Sequence, residues 1–178
     1  MHKEFDQLWI LNDEVSKDLT IINNAIKAAV VVIIFKNTEG QSVLYLIERN
    51  TYDGHHSGQM ALPGGKMDHV DANLSETALR EVHEEIGVIL ESGQLFPLTP
   101  QWIHVSNHWV QPFYTIVYEK PIFTLNKREI NCIFEIPIST FKDSNTLAFH
   151  ELNILGNKVT SPKYWNDGKE IWGATAII

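Results

Sequence analysis

Two rhythms of apolar and polar positions run through this chain of 178 residues. Over 28–35 the run AAVVVIIF is apolar without a break and rich in β-branched residues, which predicts a buried strand. Residues 37–41 are polar with a glycine and read as a turn, and 42–48 predict a second strand paired with the first. The period then changes to that of a helix, with Ala78, Leu79, Val82 and Ile86 forming one apolar stripe. Asn73 is the expected N-cap, with Glu76 three residues on in the manner of a capping box, and Gly87 is the expected C-terminal stop. Beyond it 95–100 is short and apolar, 102–108 is mixed, and 109–119 predicts a long strand. A further strand spans 131–136 and is ended by Pro137. Residues 139–145 read as a short helix or turn, and 151–159 as a hairpin turning at Gly156 and Asn157. At the other end, 4–17 has Phe5, Leu8, Trp9 and Asn12 on one side of a helix.

Composition narrows the class. Hydrophobic residues make up 44% and charged residues 20%, values of a soluble globular chain. The length suits one domain over 1–178, with no internal repeat, low-complexity tract or linker. A net charge of −8 argues against a general nucleic-acid surface or an anionic membrane surface as partner. The longest apolar run, 28–35, is too short to span a bilayer. Cys132 is the single cysteine, which excludes an intrachain disulfide framework and a CxxC metal site. With no signal peptide in 1–16, a reducing cytoplasm is the expected compartment.

The candidate chemistry lies in GQMALPGGKMDHVDANLSETALREVHEEIGV, from Gly58 to Val88. Gly64 and Gly65 together can take positive φ and let backbone come close to a ligand, which sets the expectation for both. Glu81, Glu84 and Glu85 stand at i, i+3 and i+4, so three like charges share one helical edge, an arrangement that repels itself and calls for a cation. Arg80 is one such partner, and a hard divalent ion is the other, because Mg²⁺ takes carboxylate oxygens and bridges to phosphates. Such an ion would also let an acidic protein approach a phosphate-bearing ligand. Adjacent His55 and His56 diverge on an extended chain and read as loop residues. His104 and His108 would converge only on a helix, and their neighbours predict strand and loop. Trp102, Trp109, Phe113 and Tyr114 read as core aromatics.

This stretch resembles the signature of the Nudix hydrolases. Arg80, Glu81, Val82, Glu84, Glu85, Gly87 and Val88 meet its second half in full. In the first half, Asp71 follows Gly65 after five residues where the family has glutamate, and eight residues rather than seven separate it from Arg80. That variant is common in the branch that hydrolyses coenzyme A. Arg49, Gly58 and Leu62-Pro63-Gly64-Gly65 are similar to a second signature of this branch, whereas its loop arginine is replaced by Gly54. The segment Trp172 to Ala176 resembles the W-G-x-T-A that opens the branch's last helix, which is short here. An uncovered apolar face there would favour association, for instance as a homodimer, or poor stability.

The resemblance implies an α/β fold, a Nudix-type α/β/α sandwich with a mixed central sheet, and a variable leader over 1–27. It implies a Mg²⁺- or Mn²⁺-dependent diphosphatase acting on coenzyme A or acyl-coenzyme A, or else on ADP-ribose, a dinucleotide or a modified nucleotide. A non-catalytic ligand sensor of the same fold is the reading from another class. The small-molecule nucleotide is the expected partner. Expected metal ligands are Glu81 and Glu85, with Glu84 direct or through water and the Gly64 carbonyl in addition. Arg80 is expected to orient the carboxylates, and Glu84 or Glu129 to serve as base. Arg49, Gly65 and Lys66 are the expected substrate-binding residues.

Overall fold

The computed structural model describes residues 18–50, 58–154 and 156–178. The expected helix over 4–17 with Phe5, Leu8, Trp9 and Asn12, and the loop positions Gly54, His55 and His56, lie outside the described residues.

A short helix α1 (Leu19–Asn24), capped by the Asp18 carboxylate, leads into β1 (Ile26–Lys36). This is the unbroken apolar run. Alternate residues Ala29, Val31, Ile33 and Phe35 face one core, and Val30 and Val32 face another, so a strand buried on two sides needs no polar alternation. β2 (Ser42–Arg49) returns antiparallel but pairs with β1 only at 34–36 against 42–44. Beyond that point the two strands part. Into the fork goes the segment from Met60 to Lys66: β3 (Met60–Ala61) pairs with β2, and β4 (Gly64–Lys66) pairs with β1. This wedge is what carries the glycine pair into the middle of the molecule.

Helix α2 (Leu74–Ile86) follows. Its caps are as the sequence predicts: Asn73 Oδ1 accepts from the N–H groups of Ser75 and Glu76, and Gly87 takes φ 71°. The reciprocal half of the capping box differs, because the Glu76 carboxylate accepts from Ala72 N–H at 2.8 Å rather than from Asn73. Ala78, Val82 and Ile86 are fully buried against β1 and β2, while Leu79 is half-buried.

The sheet continues through β5 (Phe96–Pro97), β6 (Gln101–Ile103) and β7 (His108–Val117), and β7 runs parallel to β1 over its whole length. A parallel neighbour among antiparallel ones makes the central sheet mixed. His104 lies in a short 3-10 turn and His108 opens β7, so the two imidazoles share no helix face. Trp109 and Phe113 are buried, and Trp102 and Tyr114 are half-buried. β8 (Ile130–Pro137) pairs with the outer side of β2.

The remaining chain forms β9 (Leu147–Ile154), β10 (Asn157–Asn166) and β11 (Lys169–Ile171), a second antiparallel sheet, and the short α3 (Ala174–Ile177). The β9–β10 turn falls one residue earlier than expected, since Asn157 already belongs to β10. Tyr164 and Ile171 pack on Leu46, Leu62 and Ile136, with Ala176 and Ile178 beside them. The sandwich therefore has α2 on one face of the mixed sheet, and the small sheet with α3 on the other. No helix among the described residues is long and apolar enough to cross a membrane.

Candidate functional site

Two glutamates of α2 lie on the glycine pair of the wedge. Glu85 is 1% exposed, and its Oε2 accepts the Gly64 N–H at 2.9 Å. Its Oε1 faces Arg49 Nη2 at 3.5 Å, and the same nitrogen donates to the Gly64 carbonyl at 3.3 Å. Glu81 lies over Gly65, where an added Cβ would stand 2.5 Å from the carboxylate carbon.

The two glycines serve different ends. Gly64 alone of the pair takes positive φ, at 149°, and an added Cβ would stand 2.2 Å from the Ala29 carbonyl oxygen. Gly64 is thus required by the close pairing of β4 with β1, and Gly65 by the Glu81 carboxylate. The expectation that both take positive φ is corrected accordingly.

Arg80 fixes this edge of α2. Its Nε and Nη2 donate to the two oxygens of Asp71 at 3.0 and 2.9 Å, a bidentate pair. Its Nη1 donates to Glu81 at 2.8 Å and to Glu84 at 3.0 Å, and Nη2 donates also to the Lys66 carbonyl. Asp71 itself is buried and accepts further bonds from Thr77 Oγ1 and Asp68 N–H. The Arg80 guanidinium holds the Asp71 carboxyl well below the usual carboxylate range. Asp71 is a residue of the site that sequence reasoning misses. Its place at the glutamate position of the resembled signature is the one signal for it, and the fold of the 67–73 loop that turns it onto Arg80 is not written in the spacing.

The three glutamates are therefore unequal. Glu84 is drawn outward by Arg80 and its side chain is 54% exposed. Burial pushes the Glu85 carboxyl up to about 7, a rise opposed by Arg49 and the Gly64 N–H and aided by Glu81 and Glu129. Burial raises Glu81 as well, against the pull of Arg80. A buried carboxylate with so little compensation is short of positive charge. Glu129 is exposed in the turn that precedes β8, near enough for its charge to act on both Glu81 and Glu85. Arg49 is packed against Glu85 and Gly64, and the exposed Lys66 ends β4.

Among the described residues no three carboxylate, imidazole or thiolate side chains converge on one point. The candidate donors here are the carboxylates of Glu81 and Glu85 and the Gly64 carbonyl, which also accepts from Arg49, all of them hard oxygens. That fits Mg²⁺ or Mn²⁺, since Mg²⁺ takes one or two carboxylates and keeps several waters.

Residues 26–150 match the model of the NUDIX domain. The chain is similar to the uncharacterised Nudix hydrolase NudL of Yersinia enterocolitica, with 34% identity over 161 residues, 87% of this chain and 78% of that one. It is also similar to NudL of Enterobacter sp. (strain 638), with 28% identity over 95% of this chain and 85% of that one. Among solved structures, a MutT/nudix family protein from Enterococcus faecalis superposes with a TM-score of 0.57 at 15% identity, over 99% of this chain and 71% of that one. The NUDIX domain of Shewanella oneidensis NrtR, solved with ADP ribose, gives 0.52 at 16% identity, over 71% of this chain and 82% of that one. At these identities the structural likeness shows the fold.

Proposed function

The chain belongs to the Nudix family, and from that premise we propose that it is a divalent-metal-dependent diphosphatase acting in the cytoplasm on coenzyme A or an acyl-coenzyme A. Its products would be adenosine 3′,5′-bisphosphate and the (acyl-)4′-phosphopantetheine. The observation that supports the chemistry is the pair of carboxylates over Gly64 and Gly65: Glu85, buried and weakly compensated, and the half-buried Glu81 beside it, held by Arg80. The substrate rests on the sequence: the longer Gly65–Asp71–Arg80 spacing, Arg49, and Gly58 with Leu62 to Gly65.

Glu81 and Glu85 would hold Mg²⁺ or Mn²⁺, with the Gly64 carbonyl beside them and Glu84 joining directly or through water. A bound ion supplies neutralisation of the diphosphate oxygens and a lowered pKa for water. The protein's own groups do the rest. Arg80, pinned by Asp71, sets the direction of the Glu81 carboxylate. The Gly64 N–H and Arg49 hold Glu85. Glu84 or Glu129 takes the proton of the attacking water. One water is added across the P–O–P bridge: its oxygen bonds to one phosphorus, and the bridging oxygen leaves with the other. Arg49, Gly65 and Lys66 would bind the substrate.

A second reading, a Nudix hydrolase acting on ADP-ribose or a dinucleotide, is favoured by one observation, Gly54 in place of the branch's loop arginine. Incubation of one preparation with coenzyme A, ADP-ribose and NADH in Mg²⁺, with products identified by mass, decides between the two. Adenosine 3′,5′-bisphosphate from coenzyme A at the highest kcat/KM supports the first reading, and AMP from ADP-ribose at a higher value overturns it. E81Q should lower kcat by about 100-fold or more in either case.

A further inference from the structure

We propose that Asn50 and Asn126 are positioning residues that clamp the turn carrying Glu129 against the Glu81–Glu85 pair, and this rests on the diphosphatase reading above. After β7 the chain crosses the C-terminal end of α2. There Thr124 N–H donates to the Ile86 carbonyl and Asn126 N–H to the Glu85 carbonyl, both at 2.9 Å. Two carbonyls that a helix end leaves without partners are thus satisfied by the crossing strap. The strap lies close: a Cβ on Gly87 would stand 2.7 Å from the Thr124 Cβ.

The strap then folds into a turn around Asn126. The Asn126 carbonyl accepts from Glu129 N–H at 3.0 Å and Ile130 N–H at 2.9 Å, and its side-chain oxygen accepts from Arg128 N–H at 3.2 Å. Asn50, at the end of β2, closes the turn from the other side. Its N–H donates to the Glu129 carbonyl at 2.8 Å, and its side-chain nitrogen donates to the Lys127 carbonyl at 2.9 Å. Asn50 directly follows Arg49, which faces Glu85 and Gly64. The turn is therefore tied at one end to the backbone of Glu85 and at the other to the neighbour of Arg49. The backbone of Glu129 thereby shares its anchors with the backbone of Glu85 and the neighbour of Arg49.

The two asparagines use opposite halves of the amide, and their backbone partners fix which half. Asn126 accepts from an N–H, and Asn50 donates to a carbonyl. Aspartate keeps the acceptor and loses the donor, so it separates the two roles. With coenzyme A as probe, N126D should hold kcat within about threefold of wild type, while N126A, N50A and N50D should lose about 10–100-fold in kcat at little-changed KM, the scale of a misplaced catalytic group. Amide hydrogen exchange of the metal-free protein supplies the second readout: Arg128 and Glu129 N–H should exchange faster in N126A, N50A and N50D, and at the wild-type rate in N126D. The clamp is overturned if N126D exchanges as fast as N126A, or if N50D keeps the wild-type exchange rate and kcat. It is equally overturned if exchange accelerates and kcat does not move. A wild-type protein that cleaves no diphosphate sinks the diphosphatase reading instead, and the exchange pattern then still decides whether the clamp exists.

Discussion

Replacing Glu85 by glutamine should strengthen the metal-free protein at alkaline pH and abolish its response to metal. The magnitude follows from the burial of this side chain. Its carboxyl rises from 4.5 to about 7 in the folded protein, a gap of about 2.5 that corresponds to about 3 kcal/mol at ~1.36 kcal/mol per pKa unit. A raised folded pKa means that the folded state holds the proton more tightly than the unfolded chain does. The contribution is fully present below 4.5 and is lost as pH rises through about 7. At pH 8.5 the wild-type protein therefore carries an ionised, buried Glu85 and lacks about 3 kcal/mol. Glutamine keeps an oxygen for the Gly64 N–H and carries no charge, and Arg49, being partly exposed, is left to water. Urea unfolding of both proteins in EDTA should show the stability difference, E85Q minus wild type, growing by about 2–3 kcal/mol between pH 5 and pH 8.5. Taking the difference cancels most of the titration of Glu81. Saturating Mn²⁺ should reverse the order, because a ligand at 100 times its Kd adds about 2.7 kcal/mol to wild type alone. A difference that stays flat from pH 5 to pH 8.5 would refute the burial argument, and an undiminished Mn²⁺ response in E85Q would refute the ligand assignment.

Three other substitutions separate packing from chemistry. G64A should destabilise the fold by about 3 kcal/mol or more, seen in urea unfolding, since its Cβ meets the β1 backbone and its φ is positive. G65A should leave that midpoint nearly unchanged and lower kcat, because its Cβ meets the far end of Glu81 and not backbone. D71N should cost about 2–3 kcal/mol at pH 7 by breaking a buried bidentate pair. The depressed Asp71 carboxyl contributes stability above the ordinary 3.8 and loses it as pH falls toward its lowered folded value, so the acid limb of wild type should be steeper than that of D71N.

Much of the site could be read from residue order because it is local. The helix with both caps, the stripe of Ala78, Val82 and Ile86, and the Arg80–Glu85 edge all follow from spacing along one element. What stayed hidden depends on contacts between distant segments. The sequence shows the charge of the Glu85 helix edge but not its burial, which arises because the β1–β2 fork admits the 60–66 wedge over it. Of the second sheet the sequence shows the 151–159 hairpin but not its extension to Leu147 and Asn166 or the third strand. β10 carries Pro162 opposite Phe149, and a proline inside a run argues against a strand, yet here it sits within a three-stranded ladder. The tie between Glu48 and Lys169, which joins that sheet to the core, spans 121 residues.

The same geometry explains why Arg80 does not neutralise the whole edge. Its guanidinium is committed to Asp71, Glu81, Glu84 and the Lys66 carbonyl, which uses the fork of donors fully. Nothing of it is left for Glu85. Arg49 approaches Glu85 only at 3.5 Å and shares its donor with Gly64. A tighter arginine would lower the Glu85 carboxyl and stabilise the metal-free fold, and it would occupy the oxygen that a cation needs. The long Arg49 contact and the raised Glu85 carboxyl are thus one feature: stability withheld from the metal-free fold, which a divalent ion bound as proposed would restore.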